Sequence, residues 1–215
     1  VACGDADGAV TGNTRRFGAS LDKIKQVVDV RDGEIMFGLN MVVHKGKTIF
    51  VGDTSVHEYP TSEQMAEMAI STARVVRLFG FDPKVAFVSH STFGQPLTNR
   101  TKHIRKAVDI LKEKKVDFEF DGDMQPDVAL NPEYKDLYPF SKIVGKANIL
   151  IMPGQHSAAI SYKMMKTLGD TKVIGPLLIG LGLPIEIAPL RSSTSELINL
   201  ASIAAYSADV IDYKK

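Results

Sequence analysis

Cysteine, surplus charge and long apolar runs are all scarce in this chain, and each scarcity closes off a class of protein. Cysteine occurs once in 215 residues, at Cys3. That excludes an internal disulfide framework and fits a reducing, cytoplasmic compartment. Charge of neither sign dominates: 26 Lys and Arg stand against 25 Asp and Glu, a formal net charge of +1. Nothing in that balance demands nucleic acid or an anionic membrane as a partner. No apolar run reaches the ~20 residues that a spanning helix needs, and no secretory signal pattern is visible. The remaining composition, 44% hydrophobic and 24% charged, is that of an ordinary globular chain.

Several site signatures are missing as well. No Walker A or G-x-G-x-x-G run is present. Gly180–Pro184, "GLGLP", lacks the third glycine and leads into an extended segment rather than a helix. "CGDADGAVTGNT" matches an EF-hand loop only at Asp5, Asp7 and Gly8; its twelfth position is Thr14, where calcium needs a bidentate Glu. A Gly-rich turn is the better reading. His44, His57, His90, His103 and His156 show no metal-ligand spacing, and no Cys accompanies them, which argues against zinc. Ser89, Ser91, His90 and Asp121 leave a Ser–His–Asp arrangement open, without a G-x-S-x-G elbow to support it.

What is present is an α/β rhythm. "RRFGASLDKIKQVVDV" puts Phe17, Leu21, Ile24 and Val28 on one helical face. "EIMFGLNMVV" and "TIFVGD" read as strands joined by the turn His44–Lys47, an antiparallel hairpin. The next helix is the best specified. Thr61 and Gln64 form a capping box after Pro60, and Gly80 and Pro83 stop it. Met65, Met68, Ala69, Thr72, Val75, Val76 and Phe79 make its face, with the Met side chains as core filler.

Beyond it, strands "KVAFVSH", "VDFEFDG", "ANILIMPG" and "VIGPLLIG" alternate with helices near 99–114, 157–168 and 194–209. Ser193 and Glu196 cap the last, whose apolar face is Leu197, Leu200, Ala201, Ala204 and Ala208. Such alternation predicts βαβ units and a largely parallel sheet. Ligands in such sheets sit beyond the C-terminal strand ends, here the segments 89–97, 121–130, 153–159 and 180–193. Arg15, Arg16, Arg100, Lys102, His103 and Arg105 are either solvated helix faces or an anion site at a helix start.

Seven motifs in order carry a resemblance: "ADGAVTG", "DTSVHEYPTSEQMAEMAI", "VAFVSHSTFG", "DGDMQPDVAL", "GKANILIMP", "AISYKMM" and "VIGPLLIGLGLPIEI". Over essentially its whole length the chain resembles the phosphate acetyl/butyryltransferase family. It is similar above all to the phosphotransacetylase-like C-terminal domain of bacterial NADP-dependent malic enzymes. The resemblance implies a two-lobed, three-layer α/β/α fold like that of isocitrate and isopropylmalate dehydrogenases, with the first lobe incomplete. On that reading 1–59 with 190–215 form lobe one, 60–189 form lobe two, and the chain, opening at Val1 without a preceding strand, is a piece of a longer polypeptide.

Active members move an acetyl group between CoA and phosphate, which requires a base for the thiol and cations for the phosphate. The family's Ser-Arg-Gly segment corresponds to "PLRSSTSEL". Arg191 keeps the Arg position, Leu190 stands for the Ser, and Leu197 for the proposed base six residues after the Arg. Glu196 is adjacent, about a hundred degrees round a helix. Asp22 occupies the position of a phosphate-binding Arg, and Phe93 and Pro96 replace small residues in the Ser-Thr-x-Gly-Ser-Ala loop. His156-Ser157-Ala158-Ala159 replaces Asn-Ala-Gly-Asn.

The expectation is a domain that binds acetyl-CoA as an allosteric inhibitor without transferring acetyl. NADP and a divalent metal would belong to a separate malic enzyme domain, and copies would pair through lobe two. Expected ligand contacts are Ser91, Thr92, Arg100, Lys146, His156, Ser157 and Arg191, with Arg191 and Glu196 (or His156 as base) as the groups to act if transfer persists. A purely oligomerising domain is the remaining alternative.

Overall fold

The computed structural model describes residues 1–211 and 213. A six-stranded sheet forms its centre. β2 (Phe37–His44) and β3 (Lys47–Gly52) make the expected hairpin, turning at Lys45 and Gly46, both with positive φ. β4 (Lys84–Val88), β5 (Glu119–Met124), β6 (Ile149–Ile151) and β7 (Thr171–Ile179) complete the order β5-β4-β6-β3-β2-β7. β3, β4, β5 and β6 pair in parallel, and β7 runs antiparallel to β2. Five strands therefore point one way and only β2 is reversed. A second sheet holds just β1 (Ala9–Gly12) and β8 (Ile185–Ala188), paired in parallel. β8 lies inside the segment 180–193, so that segment is partly strand.

Alternation of side chains across the strands builds two cores. Phe50, Phe87, Ile149 and Ile151 face α2 (Ser62–Leu78), α3 (Asn99–Lys114) and α6 (Thr194–Val210). Val51, Ala86, Val88 and Leu150 face α4 (Pro126–Leu130) and α5 (Gln155–Leu168). Helices thus cover both faces of the sheet. A third, smaller cluster joins Leu21 and Ile24 of α1 (Phe17–Ile24) to Val28, Met36, Leu181 and Ile187. α1 is shorter than its apolar pattern: beyond Ile24 the chain makes single turns, which still bury Val28.

The capping boxes on α2 and α6 are both present. On α6 the burial narrows to Leu200 and Ala204, and Ala201 is exposed. Sheet membership also departs from the expected lobe grouping. The hairpin 37–52, expected with lobe one, is hydrogen-bonded into the large sheet, and β8, expected with lobe two, pairs with β1. No helix of the described residues is long and apolar enough to cross a membrane.

Candidate functional site

The parallel strands end together at Gly52, Val88, Met124 and Ile151, and their loops build the site region. At the end of β3, Asp53 is fully buried. Its Oδ1 accepts from the backbone N–H of Gly38 at 2.9 Å, Ser55 at 2.8 Å and Val56 at 3.1 Å. Its Oδ2 accepts from the His57 N–H at 2.6 Å and lies 2.8 Å from His57 Nδ1. Five donors around one carboxylate offset its desolvation and fix the turn. Sequence reasoning missed this group. The available signal was an Asp directly after a strand, before Thr-Ser, which favours a side-chain-closed turn.

The loops after β4 and β5 are joined to each other. Ser91 Oγ donates to Asp123, and both residues are fully buried. Thr92 Oγ1 accepts from the Gln125 N–H at 3.2 Å, and the Phe93 N–H reaches Asp123 O at 2.6 Å. Phe93 itself has φ 51° and packs on Tyr138 and Phe140, with ring centroids 5.6 and 4.8 Å away. Ser91 and Thr92 therefore use their hydroxyls to hold loop to loop. The Ser89, Ser91, His90 and Asp121 arrangement does not assemble either: Asp121 accepts from Gly122 N–H and Lys142 N–H, and His90 is exposed.

A groove of about 490 Å³ opens beside these loops, lined by Tyr59, Pro60, Asn99, Arg100, His103 and Pro153 among others. The Arg100 guanidinium stacks over the Tyr59 ring at 5.4 Å and reaches Pro153 O at 3.5 Å. His103 is structural, with Nε2 2.9 Å from Pro60 O and Nδ1 3.0 Å from Ser62 Oγ. α5 starts here at Gly154 with no side-chain cap, which leaves amide donors at its N-terminus. Ser157 Oγ donates to Gly154 O at 2.8 Å, and the exposed His156 pairs with Glu58 at 3.3 Å. Arg100, His156 and Ser157 are thus gathered around one end of the sheet.

Lys146 is not with them. It precedes β6, beside Lys47 at the start of β3, so it sits at the opposite end of the sheet. The neighbouring Lys47 lowers its ammonium pKa. Parallel strands fix this: residues before a strand and after it lie on opposite sides of the layer. The second sheet carries the remaining positions. Arg191 is exposed, has φ 61°, and donates its N–H to Asn13 O at 3.1 Å. Leu190 is exposed, Leu197 packs against the main core, and Asp22 is exposed on α1. Glu196 is occupied by the α6 cap and by Lys166 Nζ at 2.7 Å. The Lys166 hydrogen bond, helped by the Ser193 N–H, holds its carboxyl down at about 2. A carboxylate so stabilised is a poor proton acceptor. Among the described residues, no group of three or more His, Cys, Asp or Glu could hold a metal ion.

Comparison with known proteins places the fold and the family. The NADP-dependent malic enzyme of Rhizobium meliloti (strain 1021) is 46% identical over 208 residues, covering 97% of this chain and 27% of that protein. The chain thus spans little more than a quarter of such relatives. The phosphate acetyltransferase of Bacillus subtilis (strain 168) is 30% identical, over 95% of this chain and 64% of that protein. Among solved structures, a phosphotransacetylase from Streptococcus pyogenes aligns with a TM-score of 0.91 at 30% identity, covering 97% of this chain and 65% of that one. The family model for phosphate acetyl/butaryl transferase matches residues 1–205, and the chain belongs to that family.

Proposed function

We propose that this domain binds an acyl-CoA, acetyl-CoA in the first place, beside the strand-end loops and carries out no acetyl transfer. One observation carries the reading. At the position where the resemblance expects a base stands Leu197, half-buried against the core, and the adjacent Glu196 is bound to Lys166 and held at about 2. Proton removal from a thiol needs an acceptor with a pKa near the working pH, and neither group qualifies. Arg100, His156, Ser157 and Arg191 are the ligand contacts on this proposal; Ser91 and Thr92 shape the loop beneath them.

The similarity to malic enzymes supports placing the domain in a polypeptide that decarboxylates malate, with NADP and a divalent metal held outside residues 1–215. There, acyl-CoA binding would inhibit, with a coupling of about 1–3 kcal/mol that is reciprocal between the two ligands. Two lobes of the isocitrate dehydrogenase kind and pairing of copies are part of the same proposal. The test uses the full-length protein. Acetyl-CoA should lower its malate oxidation, and CoA with acetyl phosphate should release no phosphate. Phosphate release would overturn the non-catalytic reading. Malate oxidation indifferent to acetyl-CoA would overturn the regulatory one.

A further inference from the structure

A cavity of about 280 Å³ lies between α2, α6 and the edge strand β7, and it shares no lining residue with the Tyr59–Arg100 groove. Val75, Leu78, Phe79, Leu177, Ile179 and Ile203 give it apolar walls. It is partly open to solvent. Its volume is nearly twice that of the ~150 Å³ engineered cavity that admits benzene.

The cavity also has a polar set of a particular kind. Glu186, on β8, is 5% exposed and accepts from the Leu178 N–H at 2.9 Å. Burial raises its carboxyl to about 8, so near neutral pH it keeps its proton and does not repel an anion. Arg31 and Arg74 both contact the single carboxylate of Glu34, so among the described lining residues two guanidinium groups share one carboxylate. Among the described residues Arg31 Nε has no hydrogen-bond partner, and its guanidinium lies 4.9 Å from the Tyr213 ring centroid. A buried donor without an acceptor costs free energy until something supplies one. The walls favour hydrocarbon, and the arginines favour a carboxylate.

We infer that this cavity is a binding site for an amphipathic monocarboxylate. Its hydrocarbon body, of about ten carbons by comparison with benzene in the smaller cavity, lies against Val75, Phe79 and Ile203. Its carboxylate is held by Arg31 and Arg74. The inference is independent of acyl-CoA binding at the strand ends.

The test is calorimetric titration of the full-length protein with decanoate, below its aggregation threshold, and in parallel with decanol. Decanoate should saturate one site per chain, and decanol should bind at least tenfold more weakly. Val75→Phe, which fills the cavity, should weaken decanoate at least tenfold. Arg31→Gln, which removes the charged donor, should weaken it about tenfold. If Val75→Phe does not fold, Arg31→Gln decides alone. Absence of saturable binding, equal affinity for decanol, or indifference to these variants overturns the inference. So does a structure of the full-length protein with another segment of its polypeptide in the cavity.

Discussion

At the end of β3 a single carboxylate, Asp53, gathers five donors and disappears from solvent. At the end of β8, by contrast, the turn 189–193 leaves Leu190 and Arg191 exposed and is tied by two backbone bonds and by the hydroxyls of Ser192 and Ser193. Only the second region lies in a segment where the sequence led us to expect ligand chemistry. The first is a scaffold with its polar groups committed to one another. The second has exposed side chains, and the carboxylate of Glu196 beside it is spent on a cap and an ion pair. The difference teaches that rigidity and reactivity have been separated here. The large sheet holds its loops with buried hydrogen bonds, and on the proposed reading the small sheet supplies no base.

Four substitutions would break or sharpen that contrast. The largest effect is expected from Asp53→Ala. Five donors lose their acceptor in a buried turn, so urea unfolding should show a loss of about 4 kcal/mol. A loss under about 1 kcal/mol would mean that the turn holds itself without the carboxylate.

Glu186→Gln comes next, and its effect depends on pH. In the folded protein the carboxyl titrates near 8, against 4.5 when unfolded. Between those values the unfolded chain has released a proton that the folded one keeps. Stability is therefore fullest below 4.5 and falls by up to about 1.4 kcal/mol per pH unit toward 8. The Gln variant should lose that slope and be the more stable protein at pH 8, measured by unfolding at a series of pH values. An unchanged slope would assign the titration to another group.

Ser193→Ala removes the α6 cap and should cost about 1 kcal/mol. It tests whether the small-sheet region depends on local devices. Lys166→Ala should cost less than about 1 kcal/mol, because the pair with Glu196 is partly exposed. The full-length variant should still release no phosphate from acetyl phosphate with CoA. Its appearance would show that Glu196 becomes a base once freed, and would erase the contrast between the two regions.

Elements specified by neighbours in sequence were legible from the sequence. Thr61 with Gln64 and Ser193 with Glu196 close their boxes within one turn, and the β2–β3 hairpin needs only a two-residue turn. The alternation of strands and helices after Pro83 was equally readable, because each apolar period lies within one element. The site was legible only in part. Arg100, His156 and Ser157 do meet at one sheet end, but Lys146 lies at the other. The hydroxyls of Ser91 and Thr92 turned out to bind Asp123 and Gln125, partners roughly thirty residues away that no local pattern announces.

By itself the sequence determined most of the helices and the strands of the large sheet and, through seven ordered motifs, the family, because these rest on local propensity and on residue order; β1, read as a Gly-rich turn, and the short strand β8 escaped it. Tertiary structure alone decided the strand order, the pairing of β1 with β8, the burial of Asp53 and the cavity around Glu186. Each of those depends on groups far apart in the chain, β1 and β8 lying at opposite ends of it. Which distant partner a buried polar group meets is fixed only when the sheets close.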